Sequence, residues 1–334
     1  METFARLGRS VGLQVAVGAE AHQLSTGLAH LLPPRIDPWH RGGMEHTTLI
    51  QRPTLNRPFL VAAFEGWNDA GVAASTALGF VADALGAETF AHIDPEEFYD
   101  FQVARPMVQL ENGNGRRIQW PTVEFQAVRM AGSPHDLILL RGHEPNMRWR
   151  TFTREILELT ETLGVEMLIT VGALLADVPH TRPVQVMGST ADPTLAKELS
   201  LPASQYEGPT GILGVLSEAA IGSAIPAVSF WAALPHYVQA PNPRAALALV
   251  ERLGSLLSLP IDTGSLAEET AAFDATMADI VSDDPELAGY VERLEAQADE
   301  QDPDETPSLA DLPPEQFVAE VEQFLRDHPG GNRT

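Results

Sequence analysis

Pro58-Phe59-Leu60-Val61-Ala62-Ala63-Phe64, then Glu65-Gly66-Trp67-Asn68-Asp69-Ala70-Gly71, then an alanine-rich run to Leu85, is the stretch that decides the fold. The first seven residues form an apolar run of strand length. The last part has helix composition, with Val72, Thr76, Phe80 and Ala84 spaced four apart. A polar, glycine-punctuated turn lies between them. Strand, tight turn and helix in that order open an α/β layered domain. Ligands of such domains gather at the carboxyl ends of the strands, where this turn sits. Asn68 or Asp69 is placed to cap the helix by accepting hydrogen bonds from its first free N–H groups. Those same N–H groups form a potential anion site.

The alternation continues downstream. Thr47–Ile50 and Glu88–Ile93 read as strands. Met107–Leu110 and Arg117–Trp120 flank an Asn112-Gly113 turn and predict a hairpin. Phe125–Met130 and Asp136–Leu140 are further strands. Trp149–Leu163 is an amphipathic helix stopped by Gly164. Glu166–Val171 is a buried strand, Gly172–Pro183 a long loop, Val184–Met187 a short strand and Pro193–Leu199 a short helix. Ile212–Ile221 is an apolar helix and Ala227–Ala233 a strand. Pro243–Leu257 is a helix with Ala246, Leu249, Val250 and Leu253 as its seam. This βα order predicts an α/β/α sandwich on a mostly parallel sheet. Leu266–Ile280 and Pro285–Gln297 are acidic helices, and Asp299–Pro314 is an acidic linker. The last amphipathic stretch, Pro314–Leu325, puts Phe317, Val321, Phe324 and Leu325 on one face, as candidate partner-binding residues.

The predicted organisation has four parts: a loosely attached extension (1–43), an α/β core (44–260), an acidic helical part (261–298), and a linker with a short terminal helix (299–334). Strand-like order begins just after Met44, which marks it as an alternative start; finding Met1 or Glu2 at the N-terminus of the native protein would refute that.

The 334 residues carry a net charge of −25 and contain no cysteine. Such an acidic balance argues against nucleic acid and anionic membrane surfaces as partners. The absence of cysteine excludes disulfides, thiolate catalysis and cysteine metal sites. Twenty acids stand against Arg293, Arg326 and Arg333 beyond residue 261. Lys197 is the only lysine, so no P-loop Gly-Lys-Ser/Thr exists. No run approaches the ~20 apolar residues of a membrane span, and no signal peptide is evident. The protein is expected in the cytoplasm.

Four polar segments fall at predicted strand ends: Glu65–Asp69 with Trp67, His143–Glu144, Asp177–Arg182 with His180, and His236–Tyr237; the turn Tyr206–Gly211, with Glu207, Gly208 and Thr210, opens a helix and makes a fifth. The βα topology gathers them at one sheet edge, in a candidate cleft. Each also reads as turn and capping chemistry. His143, His180 and His236, with Asp69 or Asp177, are metal-ligand types, but they carry no ligand-spacing signature. Neither a metal nor another cofactor is expected. Ser217 lacks a Gly-x-Ser-x-Gly elbow. Gly208–Gly211 and Arg182 have the chemistry to hold phosphate. Trp67, Trp149 and Trp231 are core residues or stacking groups.

Phe64-Glu65-Gly66-Trp67-Asn68-Asp69-Ala70-Gly71 resembles the signature of bacterial members of the proteasome assembly chaperone 2 family. Gly142-His143-Glu144-Pro145, Val178-Pro179-His180-Thr181-Arg182-Pro183, Tyr206-Glu207-Gly208-Pro209-Thr210-Gly211 and Trp231–Tyr237 fit the same group, in order, over about Thr47–Gln297. The resemblance implies an α/β/α sandwich similar to the purine-nucleoside-phosphorylase-like fold. It also implies self-association as a dimer or trimer. Relatives in archaea and eukaryotes bind proteasome α subunits, some through a C-terminal hydrophobic-Tyr-x tail. The last residues here, Gly330-Gly331-Asn332-Arg333-Thr334, do not have that form. Two functions follow: a non-enzymatic, assembly-chaperone-like protein acting through protein contacts, or a phosphorylase- or hydrolase-like enzyme or small-molecule binder using the strand-end cleft.

Overall fold

The computed structural model of the chain describes residues 44–300, apart from 112–114, 200, 203, 205 and 260. After β1 (Thr47–Leu49), the deciding stretch forms β2 (Phe59–Glu65) and α1 (Ala73–Leu85). Next come β3 (Glu88–Ile93), β4 (Met107–Glu111), β5 (Gly115–Gln119), β6 (Val123–Val128), β7 (Leu137–His143) and α2 (Trp149–Leu163). The second half supplies β8 (Met167–Ala176), β9 (Val186–Thr190), α3 (Pro193–Glu198), α4 (Ile212–Gly222), β10 (Ala227–Pro235), α5 (Pro243–Leu257), α6 (Gly264–Asp283) and α7 (Pro285–Glu300). One sheet has eight strands in the order β1-β3-β6-β7-β2-β8-β10-β9.

The parallel pairing expected from βα alternation is confined to the four central strands, β7-β2-β8-β10. Both flanks are antiparallel. For β6 and β7 connection length is the reason. Only a short turn separates β6 from β7, and parallel strands need a crossover of a dozen or more residues. β2 is central and buried on both faces, hence its unbroken apolar run.

The side chains of β2 alternate between two cores. Val61 and Ala63 join α1, α5 and α6 through Ala73, Ala77, Leu78, Val81, Ala246, Leu249, Leu253 and Leu266. On the other face Phe64 meets Phe152 of α2, ring centroids 6.0 Å apart, and α4 lies against β2, β8 and β10. The result is helix, sheet, helix. Glu155, fully buried on α2, anchors the first residues of the core by accepting from Glu45 N, His46 N and Thr47 Oγ1.

Several boundaries differ from expectation. The buried face of α1 is Ala73, Ala74, Ala77, Leu78, Val81 and Ala82, not the Val72, Thr76, Phe80, Ala84 row. Val72 is instead exposed, at φ +47° in the turn before the helix. β8 continues through Ala176, because β10 pairs with it residue for residue up to Pro235; the long loop is correspondingly shorter. β9 occupies Val186–Thr190 rather than Val184–Met187. α7 extends through Asp299 and Glu300, so the acidic linker cannot start at Asp299. The hairpin expected around Asn112-Gly113 forms as β4 and β5, although the turn lies outside the described residues. Residues 1–43, the rest of the linker, and Phe317, Val321, Phe324 and Leu325 lie outside them as well.

Candidate functional site

The carboxyl ends of β2 and β7 meet through a carboxylate. Glu144 N donates to Glu65 O at 2.9 Å, continuing the pairing of the two strands. The Glu144 side chain then accepts from Asn68 Nδ2 and from Ile212 N, both at 2.8 Å. The Trp67 N–H donates to it too. One carboxylate thus fastens the turn after β2 and the first N–H of α4 to the end of β7. A carboxylate at a helix N-terminus is also favoured by the helix dipole. Burial raises the Glu144 pKa, while these donors pull it back. Asn68 is 1% exposed. It packs so closely on Gly211 that a Cβ there would lie 2.3 Å from its Oδ1, which is why the Tyr206–Gly211 turn ends in glycine. Beside this knot, Glu65 and His143 form a half-exposed ion pair at 2.8 Å. Each shifts the other's pKa toward charge, His143 upward and Glu65 downward.

Asp69 caps α1 as expected. Its Oδ1 accepts from Ala74 N at 2.7 Å and Ser75 N at 3.2 Å, and Oδ2 from Ser75 Oγ at 2.5 Å. At 5% exposure, burial outweighs these bonds and pushes the Asp69 pKa up to about 6. The folded state therefore holds this proton more tightly than the unfolded chain does. Its contribution to stability is greatest below about pH 4 and declines as pH rises toward 6, by roughly 1.4 kcal/mol per pH unit. Asp69→Asn, which cannot ionise, should remove that decline. Urea unfolding of both proteins should show the variant gaining on wild type by on the order of 2–3 kcal/mol between pH 4 and pH 6.5. Parallel profiles would contradict this.

The ends of β8 and β10 form a separate cluster under α7. His180 N donates to Tyr237 Oη, and His180 Nδ1 lies at 2.8 Å from the same oxygen. Burial lowers the His180 pKa, aided by the Arg244 charge. Asp177 Oδ1 pairs with His236 Nδ1 and accepts from Tyr290 Oη, each at 3.1 Å. Arg182 spends its fork on Asp299, with Nε and Nη2 donating at 2.7 Å, and Nη1 reaches Glu295 at 3.2 Å. The anion beside Arg182 thus comes from this chain. Tyr290, Glu295 and Asp299 were not foreseen as members of the cluster. Their signal was the four-residue spacing of Glu295 and Asp299, which places both on one helix face.

The expected single cleft is therefore two adjacent knots. Trp67, Asn68 and Gly211 of the first knot form part of the wall of a cavity of about 640 Å³, which extends over β8, β10 and β9 beneath α4, with Trp231, Tyr206, Leu174 and Leu213 in its other walls. Gly208 and Thr210 line it; His143, His180, Arg182, His236 and Tyr237 do not. Glu207 is exposed at its rim. Trp149 is not in its walls; its Nε1 donates to Pro145 O at the start of α2. Among the described residues no group of three His, Asp or Glu converges as a metal site, and no helix is long and apolar enough to cross a membrane.

The sequence matches the PAC2 family over residues 63–281. A PAC2 family protein from Streptomyces avermitilis is 50% identical, covering 70% of this chain and 99% of its own, with a TM-score of 0.66. A Mycobacterium tuberculosis proteasome-assembly chaperone homologue is 44% identical over 70% of this chain and 99% of its own, with a TM-score of 0.64. Pyrococcus furiosus PbaB, an archaeal proteasome activator, shares the fold at 18% identity and a TM-score of 0.58, covering 71% and 99% of the two chains. No functionally curated protein matches. With most of the core covered, both knots included in part, this chain belongs to the PAC2 family.

Proposed function

We propose that this protein works in the cytoplasm through protein–protein contacts, in the manner of an assembly chaperone, with proteasome α subunits as the partner class. One observation carries the proposal. Most of the polar strand-end groups pair with one another: Glu144 with Asn68 and Ile212 N, Arg182 with Asp299, His180 with Tyr237, His236 with Asp177; the exception is Asn68 Oδ1, buried without a hydrogen-bond partner at the cavity wall. A site built for turnover keeps a nucleophile, base or anion holder facing substrate; here these groups hold turns and α7 in place. The names of the mycobacterial and archaeal relatives point the same way. In this reading residues 44–260 are the rigid core, 261–298 brace its edge, and the acidic stretch beyond 300 is the adaptable arm, engaging partners through Phe317, Val321, Phe324 and Leu325.

Affinity capture from the protein's own cells after mild cross-linking, read by mass spectrometry, tests this. Proteasome α subunits are the expected catch. A variant lacking residues 301–334 retains the Arg182–Asp299 pair, and should lose most of the catch without a change in melting temperature. Undiminished capture by the truncated protein would refute the role of the arm. The 640 Å³ cavity favours a second reading, a small-molecule binder. Stabilisation by a nucleoside, phosphate or a divalent metal in a melting panel would support it.

A further inference from the structure

The ribbon β4–β5 leaves most of its apolar face exposed, with Phe101 packed on Trp120 at one end, ring centroids 4.8 Å apart. Register pairs Val108 with Ile118 and Leu110 with Arg116, so these four share a face with Trp120. Val108 is 59% exposed, Leu110 75%, Ile118 52% and Trp120 45%. An isolated two-stranded ribbon is marginal in water and needs a third layer against its apolar side. Arg105, Arg116 and Arg117 make it a basic element, against Glu111, in a chain of net charge −25.

The cavity beneath α4 is its counterpart. Leu174, Leu213, Trp231 and Ile221 offer apolar wall, and Ile221 is itself 37% exposed. Glu218 lines it and Glu207 flanks it, so its margin is acidic. The two features lie toward opposite sides of the sheet: the ribbon leaves the chain between β3 and β6, while the cavity sits over β8, β10 and β9. We propose that the ribbon of one copy seats in the cavity of a second copy, its apolar face on Ile221 and Trp231, with Arg116, the arginine on that face, toward Glu218. A contact between two different patches of the same chain is head-to-tail, and closes into a ring when the rotation per copy permits. The proposal concerns self-association only and stands apart from the partner proposed above.

The absence of cysteine allows a direct test. Full-length Ile118→Cys and Ile221→Cys proteins are prepared separately, mixed to exchange copies, and treated with a short bis-maleimide. Cross-linked dimer should form efficiently in the mixture and only weakly in either protein alone. Arg116→Glu and Glu218→Arg should each weaken association at least 10-fold in native mass spectrometry or light scattering, and the combined charge swap should restore it. Both positions are exposed, so the melting temperature should not move. Ile118→Cys protein that links mainly to itself would overturn the proposal in favour of ribbon-to-ribbon pairing. A protein that stays monomeric, or single variants that assemble like wild type, would overturn it outright.

Discussion

Glu144→Ala should destabilise the protein by about 3 kcal/mol, because it strands three donors on two segments at once. Asn68 Nδ2, Ile212 N and the Trp67 N–H all lose their acceptor. Each stranded donor costs on the order of 1–3 kcal/mol, depending on how far water reaches it. Glu144→Gln retains one carbonyl oxygen but no charge, and should cost roughly half as much. Urea unfolding gives the magnitude, and hydrogen exchange gives the cause. The Ile212 amide and residues 206–211 should exchange faster in Glu144→Ala, while the β2 amides keep their protection. A loss spread evenly over the sheet would show that the carboxylate does not tie the turns together.

Gly142→Ala should cost more, about 3–5 kcal/mol, from strain and overpacking together. Gly142 has φ +149°, a conformation that side-chain-bearing residues rarely adopt, and lies opposite Val123 in the β6–β7 pair. An alanine Cβ would stand 2.0 Å from Thr122 O and 2.8 Å from Val123 Cα. Both neighbours are backbone and cannot rotate away. The strand pair must part, and the ends that carry His143 and Glu144 move with it. A melting temperature within a few degrees of wild type would contradict this geometry.

Much of the fold was legible in the sequence, because local signals and burial agree there. β3, α2 and α5 fall at their expected limits, each set by strong punctuation: Gly164 after α2, Pro243 opening α5. The buried seam of α5 was read correctly from its spacing. The four-residue spacing noted in α1 did not point to its buried face. In an alanine-rich helix the small residues go inward, where α5 packs close, and apolar spacing alone misleads. The sheet's antiparallel flanks were missed because strand composition is silent on pairing direction.

The candidate site divides along the same line. The four strand-end segments and the 206–211 turn do sit at strand ends or at a helix start, since topology puts them there. Their grouping was not visible. That Glu144 serves Ile212, or that Arg182 meets Asp299, depends on contacts more than sixty residues apart in the chain. The cavity was legible only in part: Trp67, Asn68, Tyr206, Gly208 and Thr210 were candidates for a strand-end cleft and line it, whereas its wall on α4 and its floor on β8, β9 and β10 depend on contacts distant in the chain.

The most direct measurement is a titration of purified full-length protein with purified proteasome α subunits from the same organism, followed by native mass spectrometry. A stoichiometric complex at micromolar concentration, weakened by removing residues 301–334, is the predicted result. No complex at that concentration, together with a raised melting temperature on adding a nucleoside or phosphate, would contradict action through protein contacts and move the function to the cavity beneath α4.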